Sequence, residues 1–403
     1  MSFFSKEFTP DERDLYDRQF RLNGWDQKIL KESKVLIAGV GGLGCETAKN
    51  LAMLGVGTLY LVDLDIIEHS NLNRQILFSD AKMGEPKANV AARKLKEINT
   101  HVKTYPFYTS LERLDPRVYA ASDIIIGGLD SMNARYNLNA QCVRFRKPLL
   151  DGGVSGYHGH IYTIFPHENA CFECYPLPAI ESDEMAACTV VGKPRKRVHC
   201  VFKGYLYFEE KYDNPPDPKN EQHVIFIMEY ANRLAEENNF LPLFKKDEVV
   251  HLINRHDPGV ITINSIIASI QSHESVKILH WLKGNKSLGE PIKEYLVFNA
   301  MTMKIYPIEK KINLECPQCG ENVRRVNIKI KKSSQAQKII DILTNNGYDL
   351  NPEMEPMLTI MDFNMIKEID LDKTIAENEL RHLELLTAVG FNGGSIFITL
   401  KLK

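Results

Sequence analysis

The residues best suited to chemistry lie in one glycine-rich stretch, KVLIAGVGGLGCE. Its glycines are Gly39, Gly41, Gly42 and Gly44, of which the first, second and fourth have the GxGxxG spacing. Such glycines permit a tight turn and let backbone N–H groups approach a phosphate, which the N-terminus of a following helix also attracts. Asp63, nineteen residues after Gly44, stands where an acid binds a ribose hydroxyl. The pattern predicts a nucleotide site, with a packing turn that binds no ligand as the alternative.

The residues around this loop supply the elements that would hold it. Val35 to Ala38 form a short apolar run, which is typical of a buried parallel strand. We expect a helix from Leu43 to Leu54, ended by Gly55, and a second strand from Thr58 to Val62. A further buried strand is predicted from Asp123 to Gly127. This alternation of strands and helices predicts an α/β fold.

The loop after the second strand, DLDIIEHSNLNRQ, is polar and rich in groups that bind phosphate and ribose. The candidate ligands are Asn71, Arg74, Gln75 and, at the start of a predicted helix that runs to about residue 99, Lys87. The guanidinium of Arg74 offers a fork of donors to phosphate oxygens, and Lys87 offers a point charge for a triphosphate. Each residue alone is more often a surface group. Their clustering after a nucleotide loop favours the functional interpretation.

Asp130 lies just past the predicted strand that ends at Gly127. Ligands bind beyond the carboxyl ends of strands in open α/β sheets, and carboxylates are favoured ligands of Mg²⁺. The alternative is an N-cap for a helix that starts near Met132, because Asp and Ser both cap helices well. The two interpretations are compatible.

Two CxxC pairs are the candidate metal ligands: Cys171, Cys174, Cys316 and Cys319. Four thiolates suffice for a closed tetrahedral Zn²⁺ site, which would be structural because no position is left for water. The fold must bring the distant pairs together. Two independent redox motifs are the alternative.

Residues 177–250 interrupt the alternation with prolines and charges, so we interpret them as an insertion with a helix from about His223 to Asn239. Cys188 lies close to a cluster of basic residues that ends at Arg197. Cationic neighbours lower the pKa of a thiol and favour the nucleophilic thiolate. A single cysteine is more often an inert core residue, and Cys200, beside a histidine, is an equal candidate on chemistry alone.

The composition is that of a soluble globular protein. The chain has 403 residues, 44% of them hydrophobic and 25% charged, which suffices for two or three domains. A formal net charge of −2 argues against a general nucleic-acid binder. The sequence has no run of eighteen apolar residues, and its N-terminus is too charged for a signal peptide, so we expect no membrane span and a cytoplasmic location.

The remainder of the chain predicts a second small domain. Residues 259–283 have the pattern of a long apolar helix ended by Gly284, and residues 295–299 and 304–307 that of a strand pair. After Cys319, strands are predicted at 326–331, 358–362 and 395–403, with a helix at 335–345. About eighty residues of this pattern suffice for a separate domain.

Taken together, these motifs resemble one family, the activating enzymes of ubiquitin and ubiquitin-like proteins, in particular the catalytic subunit of the heterodimeric type. GVGGLGCE, DLDIIEHSNLNRQ, GEPKA, GLDS, the CxxC pairs and CTVVGKPRKRVHC occur in family order over nearly the whole chain. The resemblance implies a Rossmann-like adenylation domain of the ThiF/MoeB type in two parts, residues 1–176 and 251–324, the second with the zinc closure. It also implies a catalytic-cysteine insertion at 177–250 and a β-grasp ubiquitin-fold domain at 325–403.

The resemblance implies residue roles as well. Asp63 would bind the ribose of ATP, and Asp130 would bind Mg²⁺. The triphosphate ligands would be Asn71, Arg74, Gln75 and Lys87. Cys188 would form a thioester with the adenylated ubiquitin-like protein and pass it to a conjugating enzyme, whereas Cys200 would be a packing residue.

Two other functions are compatible with parts of this pattern. A sulfur-carrier adenylyltransferase would lack the Cys188 segment and the terminal domain, and a non-catalytic scaffold would not need intact nucleotide ligands.

The run YDRQ carries Arg18, which in the heterodimeric enzymes belongs to the inactive partner and reaches the nucleotide of the other subunit. Because Arg18 and the glycine loop occur on one chain here, we expect a symmetric homodimer that shares its sites.

Overall fold

The structure is a computed structural model that describes residues 7–175, 194, 197–212, 214, 216–253, 260–362 and 365–403. The chain divides into two compact units, Met1–Tyr175 with Gly259–Lys403, and Pro176–Pro258. The first unit holds two separate sheets, and the second is helical in its described part.

One sheet of the first unit has eight strands: β1 (Lys34–Ala38), β2 (Thr58–Asp63), β3 (Lys103–Tyr108), β4 (Ile124–Gly127), β5 (Leu149–Ser155), β6 (His158–Ile164), β7 (Tyr295–Asn299) and β8 (Lys304–Ile308). Their order is β3-β2-β1-β4-β5-β6-β7-β8. The first five strands are mutually parallel, and the last three continue the sheet in antiparallel fashion. This topology confirms the predicted α/β class.

The α-helices of the described residues are α1 (Pro10–Leu15), α2 (Asp17–Phe20), α3 (Gln27–Glu32), α4 (Gly42–Met53), α5 (Lys87–Ile98), α6 (Pro116–Ala121), α7 (Met132–Phe145), α8 (Val198–Tyr212), α9 (Glu221–Glu237), α10 (Lys246–Ile253), α11 (Ile261–Leu282) and α12 (Gln337–Asn345). Short 3₁₀ helices lie at His69–Asn71 and Ile76–Phe78. The predicted helix after the glycine loop is confirmed, since α4 is followed by Gly55 with a φ of 82°. None of the helices described is long and apolar enough to cross a bilayer.

The core of the large sheet explains why β1 lies in its middle. Val35, Leu36, Ile37 and Ala38 are all fully buried, as a strand covered on both faces requires. β1 pairs with β2 on one side and with β4 on the other, so the strand order reverses at this point. Such a reversal leaves a crevice outside the carboxyl ends of the strands, where α/β proteins bind ligands.

The long helix α11 packs against α4 and the sheet through a stripe of polar residues. Gln271 is fully buried, and its Nε2 donates to the carbonyl oxygens of Gly127 and Leu150, each at 2.9 Å. Its Oε1 accepts from Oγ1 of Thr47 on α4 at 2.9 Å. Farther along, Nδ2 of Asn50 donates to Oγ of Ser272 at 3.3 Å. The two helices therefore run side by side in the same direction.

The second sheet of this unit forms a β-grasp domain. It contains β9 (Arg324–Ile330), β10 (Met357–Asp362), β11 (Met365–Ile369), β12 (Leu385–Val389) and β13 (Ile396–Leu402), in the order β11-β10-β12-β13-β9. Its first and last strands are parallel neighbours, and α12 covers the sheet with Ile339, Ile340 and Leu343. The sequence analysis predicted β9, α12, β10 and β13 but did not predict β11 and β12.

The described part of the second unit is a helical cluster built on α8, α9 and α10. Its core includes Phe208, Ile227, Ala231 and Val249. The guanidinium of Arg197 pairs with both carboxylate oxygens of Glu248, at 2.6 and 2.7 Å, and thereby joins the start of α8 to α10. The predicted helix at 223–239 is confirmed as α9.

Candidate active site

The glycines of the loop between β1 and α4 have different roles, since some are needed for close packing and one faces open space. Gly39 has a φ of 86°, and a Cβ there would lie 2.6 Å from the carbonyl oxygen of Gly128. A Cβ on Gly44 would overlap the carbonyl oxygen of Gly39, so both positions require glycine for close packing. Gly41 instead faces open space, since nothing lies within 4 Å of a Cβ built on it. It is also the N-cap residue of α4 and offers no capping side chain, so the loop is open to a ligand at Gly41.

Asp63, at the end of β2, fixes the loop from the side. Its Oδ2 accepts a hydrogen bond from the backbone N–H of Val40 at 2.6 Å, and its Oδ1 accepts from that of Asp65 at 2.8 Å. Burial raises the pKa of Asp63, and the nearby charge of Lys87 partly offsets this shift. The carboxylate thus lies against the glycine loop, as the fingerprint predicts for an acid that faces a ribose.

Lys87 is held by an acid that the sequence analysis did not single out. Its Nζ lies 2.8 Å from Oδ2 of Asp65, and its side chain is 8% exposed whereas that of Asp65 is 50% exposed. The backbone N–H of Lys87 also donates to the carbonyl oxygen of Asp65 at 3.0 Å. A lysine fixed at both ends in this way presents its charge at a defined place beside Asp63.

The segment between the 3₁₀ helices supplies the other predicted ligands. Asn71 is buried, and its Oδ1 accepts from the N–H of Glu68 at 2.9 Å. Among the described residues, only Nη1 of Arg74 finds acceptors, the carbonyl oxygen of Ser70 at 2.7 Å and Oδ1 of Asn73 at 3.1 Å. The remaining donors of Arg74 are open to a ligand.

One contact places this segment at the glycine loop, and one unpartnered atom suggests a ligand there. A Cβ on Gly42 would lie 3.5 Å from Cγ of Arg74. Gln75 is 3% exposed, yet its Oε1 has no hydrogen-bond partner among the residues that the structure describes. A buried polar atom without a partner costs free energy and suits a site that is completed by a ligand.

Asp130 is exposed at the carboxyl end of β4, next to the glycine loop through Gly128. Ser131, rather than Asp130, caps α7, since its Oγ accepts from the N–H of Ala134 at 3.2 Å. The capping interpretation of Asp130 is therefore wrong. Its carboxylate makes no hydrogen bond or ion pair with any described residue and is available to a cation.

A buried ion pair that the sequence did not indicate supports the Asp130 loop. Arg135 donates to the carbonyl oxygen of Leu129 and pairs with Oδ2 of Asp151, which is fully buried. Nε2 of His160 lies 3.2 Å from the same Oδ2. Burial lowers the pKa of His160, which favours its neutral form in this cluster. The Arg135–Asp151 pair therefore holds the backbone at Leu129, next to Asp130, in place.

The four predicted metal ligands come together. Cys171, Cys174, Cys316 and Cys319 are all buried, and their sulfur atoms lie within 4.8 Å of one another. Sγ of Cys171 is 3.7 Å from Sγ of Cys316, and Sγ of Cys174 is 3.3 Å from Sγ of Cys319. The expectation that the fold joins the distant pairs is confirmed, and two independent redox motifs are not what the geometry describes.

Comparison with known proteins agrees with this architecture. Residues 16–321 match the ThiF family. The chain is 30% identical to the NEDD8-activating enzyme E1 catalytic subunit of Dictyostelium discoideum, over 86% of this chain and 79% of that protein. It is 33% identical to the subunit of the same name from Schizosaccharomyces pombe, over 73% and 71% of the two chains.

The chain belongs to the ThiF family. Within it, the chain is an activating enzyme for ubiquitin-like proteins, of the catalytic-subunit type, and uses ATP to activate a ubiquitin-like protein. A crystal structure of E. coli MccB with AMPCPP and MccA shares the fold alone, with a TM-score of 0.51 at 21% identity over 76% of this chain and 74% of that chain. A sulfur-carrier adenylyltransferase and a scaffold are not favoured.

The two candidate nucleophiles of this activating enzyme differ in what the structure says of them. Cys188 lies outside the described residues. Cys200 is fully buried in the apolar core of the second unit, and burial raises the pKa of its thiol to about 11. A buried, protonated thiol is a poor nucleophile, so Cys200 is a packing residue.

Arg18 lies exposed on α2. Tyr16 packs against Gly55 and accepts a hydrogen bond from Nδ2 of Asn99 at 2.7 Å. Gly55 and Asn99 follow the C-terminal ends of α4 and α5, whereas the glycine loop and Lys87 are at the N-terminal ends. Because α4 is about 18 Å long, the segment that carries Arg18 lies near the end of α4 that is opposite to the glycine loop.

The glycine loop generates a stability prediction. Gly44→Ala should lower the free energy of unfolding by about 3 kcal/mol, because the new methyl group overlaps the Gly39 carbonyl oxygen and neither backbone can yield easily. Gly41→Ala is the matched control, since its methyl group enters open space, and it should unfold with a nearly unchanged midpoint. Urea titration followed by circular dichroism measures both. Equal stability of the two variants would contradict the packing role of Gly44.

Proposed function

We propose that the chain adenylates the C-terminal carboxylate of a ubiquitin-like protein, carries it as a thioester on Cys188 and passes it to a conjugating enzyme. The observation that carries the proposal is the convergence of the open glycine loop, the fixed Lys87, the unfilled donors of Arg74 and the free carboxylate of Asp130 at one edge of the sheet. Because the relatives named above act on NEDD8, a NEDD8-like protein is the substrate we propose.

Different residues would bind the ribose, the phosphates and the Mg²⁺ ion of ATP. Asp63 would accept the ribose hydroxyls, and the backbone at Gly41 would approach a phosphate. Arg74 and Lys87 would neutralise phosphate oxygens with positive charge. Oε1 of Gln75 has no hydrogen-bond partner among the described residues, which favours a ligand that brings a hydrogen-bond donor to it. Asp130 would hold Mg²⁺, for which an exposed, unpaired carboxylate is suitable.

The adenylation step follows from these charges. A carboxylate oxygen of the substrate attacks the α-phosphorus, the new O–P bond forms, and the bond from the α-phosphorus to the bridging oxygen breaks to release pyrophosphate. Mg²⁺, when bound, neutralises charge on the phosphate oxygens. Arg74 and Lys87 would reduce the repulsion between the carboxylate and the phosphates and stabilise the departing pyrophosphate. The Arg135–Asp151 pair would keep the Asp130 loop in place during this step.

The thioester step needs a thiolate. The sulfur of Cys188 would attack the acyl carbon of the mixed anhydride, form the C–S bond and release AMP. Basic residues follow Cys188 in sequence, and cationic neighbours favour the nucleophilic thiolate. Transfer to the cysteine of a conjugating enzyme would then exchange one thioester for another.

The role of Arg18 depends on how the enzyme assembles. Arg18 lies near the end of α4 that is opposite to the glycine loop, which supports a role at the nucleotide site of a neighbouring chain rather than of its own. Each relative is named a subunit, which favours a different second chain and gives no support to the expected homodimer. The homodimer therefore stays a prediction, and in either assembly Arg18 would be the residue that crosses between chains.

We propose a zinc ion for the cysteine cluster. Its sulfur atoms have the spacing and burial of a tetrahedral site. The N–H groups of Asn313 and Gln318 donate to Sγ of Cys174 and Cys316, both at 3.4 Å, as suits thiolates. Arg325, at the start of β9, donates to the carbonyl oxygen of Gln318 and would offset the negative charge of four thiolates around one Zn²⁺.

The first prediction of this proposal concerns adenylation. Asp130→Ala and Arg74→Ala should each lower the rate of ATP–pyrophosphate exchange with a ubiquitin-like protein by about a hundredfold or more, because each removes a charge that acts on the triphosphate or its metal. Asp123→Ala is the control, since Asp123 flanks the other end of β4, where its carboxylate accepts from the N–H of Lys34. Near-normal exchange in either site variant would remove that residue from its role.

The second prediction concerns the thioester. Cys188→Ala should keep pyrophosphate exchange and lose the adduct with the ubiquitin-like protein that reductant cleaves on a denaturing gel. Cys200→Ala should keep both, because its thiol is buried in the core of the second unit. Loss of the adduct in the Cys200 variant, with retention in the Cys188 variant, would mean that the nucleophile is wrongly assigned.

The third prediction concerns metal. Elemental analysis of the purified protein should give about one zinc per chain. Cys316→Ser should release the zinc and lower the melting temperature, whereas Cys142→Ala, a buried cysteine outside the cluster, should retain the zinc. A wild-type protein without zinc, or full zinc retention in the Cys316 variant, would refute the site.

A further inference from the structure

The N-termini of α4 and α11 meet at the glycine loop. Their contacts follow each other in register, from Gly42 with Asn264, through Thr47 with Gln271, to Asn50 with Ser272. The pairing shows that the two helices run parallel and begin at the same place. Their positive dipole ends therefore point to the same region.

Neither N-cap residue contributes a capping side chain. Gly41 caps α4 and Val260 caps α11, and neither makes a side-chain hydrogen bond to its helix. The first N–H groups of a helix lack partners within the helix, so both helices direct backbone donors toward the glycine loop. Converging donors of this kind favour an anion.

Asn264, in the first turn of α11, adds a side chain to these donors. It is 5% exposed, and its amide lies so close to Gly42 that a Cβ there would overlap Nδ2. The amide makes no hydrogen bond with any residue in the described ranges, so its two donor hydrogens and its oxygen are available to a ligand. Arg74 lies against the same glycine through its Cγ. The amide of Asn264 is thus aimed into the site and lacks the partner that an anionic ligand would supply.

We propose that Asn264 and the N-terminus of α11 form a second oxyanion subsite, opposite the glycine loop, which binds an anionic oxygen of the adenylation reaction. The proposal rests on the proposed function and extends it to a helix that follows the insertion by sequence. The oxygen belongs either to a phosphate of ATP or to the substrate carboxylate. Both are oxyanions that must approach each other, and neutral amide donors stabilise either without adding a charge that must be buried.

The test uses Asn264→Asp, which keeps the shape and replaces the donor by a negative charge. The control is Asn50→Asp, the same change on α4 at a place about 12 Å from Gly42 along the helix. Calorimetric titration with ATP and Mg²⁺ measures the nucleotide, and initial rates of pyrophosphate exchange give the KM for the ubiquitin-like protein. Asn264→Asp should weaken one of these at least about tenfold, and the control should leave both within about threefold.

The Kd for ATP and the KM for the ubiquitin-like protein together distinguish a phosphate oxygen from a carboxylate oxygen. A weakened Kd for ATP without the ubiquitin-like protein assigns the subsite to a phosphate, whereas an unchanged Kd with a raised KM assigns it to the carboxylate. Asn264→Ser, which removes the amide without adding charge, should show a smaller change in the same arm and covers a folding failure of the Asp variant. Effects no larger than those of Asn50→Asp in both arms would overturn the subsite, whereas a wild-type protein that binds no ATP would refute the proposed function instead.

Discussion

The buried amide of Gln271 is the interaction on which the active-site geometry depends. One side chain bonds to the carbonyl oxygen of Gly127 at the end of β4, to that of Leu150 in β5 and to the hydroxyl of Thr47 on α4. All of these groups are buried, so the loss of the amide would remove three buried hydrogen bonds, each with a net contribution of about 1 kcal/mol to stability. Through these bonds, the helix that carries Asn264 is fixed against the helix that begins at Gly42 and against the strand that leads to Asp130. The site is therefore assembled by polar contacts in the core as well as by apolar packing.

Much of the fold and the site could be predicted because the relevant signals are local in sequence. The glycine spacing, the apolar run of β1 and the acid at the end of β2 lie within thirty residues of one another, and each has one main structural solution. The cysteine pairs were predictable for a different reason. A closed tetrahedral metal site needs four ligands, so the distance between the pairs along the chain was no obstacle to expecting them together.

The remainder depends on contacts between distant segments. Nothing local distinguishes Asn264 or Gln271 from other polar residues of an apolar helix, although their separation by seven residues places them on one face and is a usable signal. Asp65 stood next to the fingerprint acid, and only the fold reveals that it pairs with Lys87. Arg135 and Asp151 belong to a helix and a strand whose sequences are ordinary. β11 and β12 were missed because short strands alternate weakly and are fixed by their neighbours in the sheet.

The cysteine cluster has a topological consequence for the chain. Cys171 and Cys316 are 145 residues apart, and the whole second unit lies between them in sequence. Before the insertion the chain has completed β6, and after it the chain adds β7 to that same strand and α11 to the face of α4. A break of the backbone within the insertion would therefore leave two polypeptides that share one sheet and one set of sulfur ligands. The core is therefore built from two segments that are separate in sequence and are joined by strand pairing and side-chain contacts as well as by the chain that connects them.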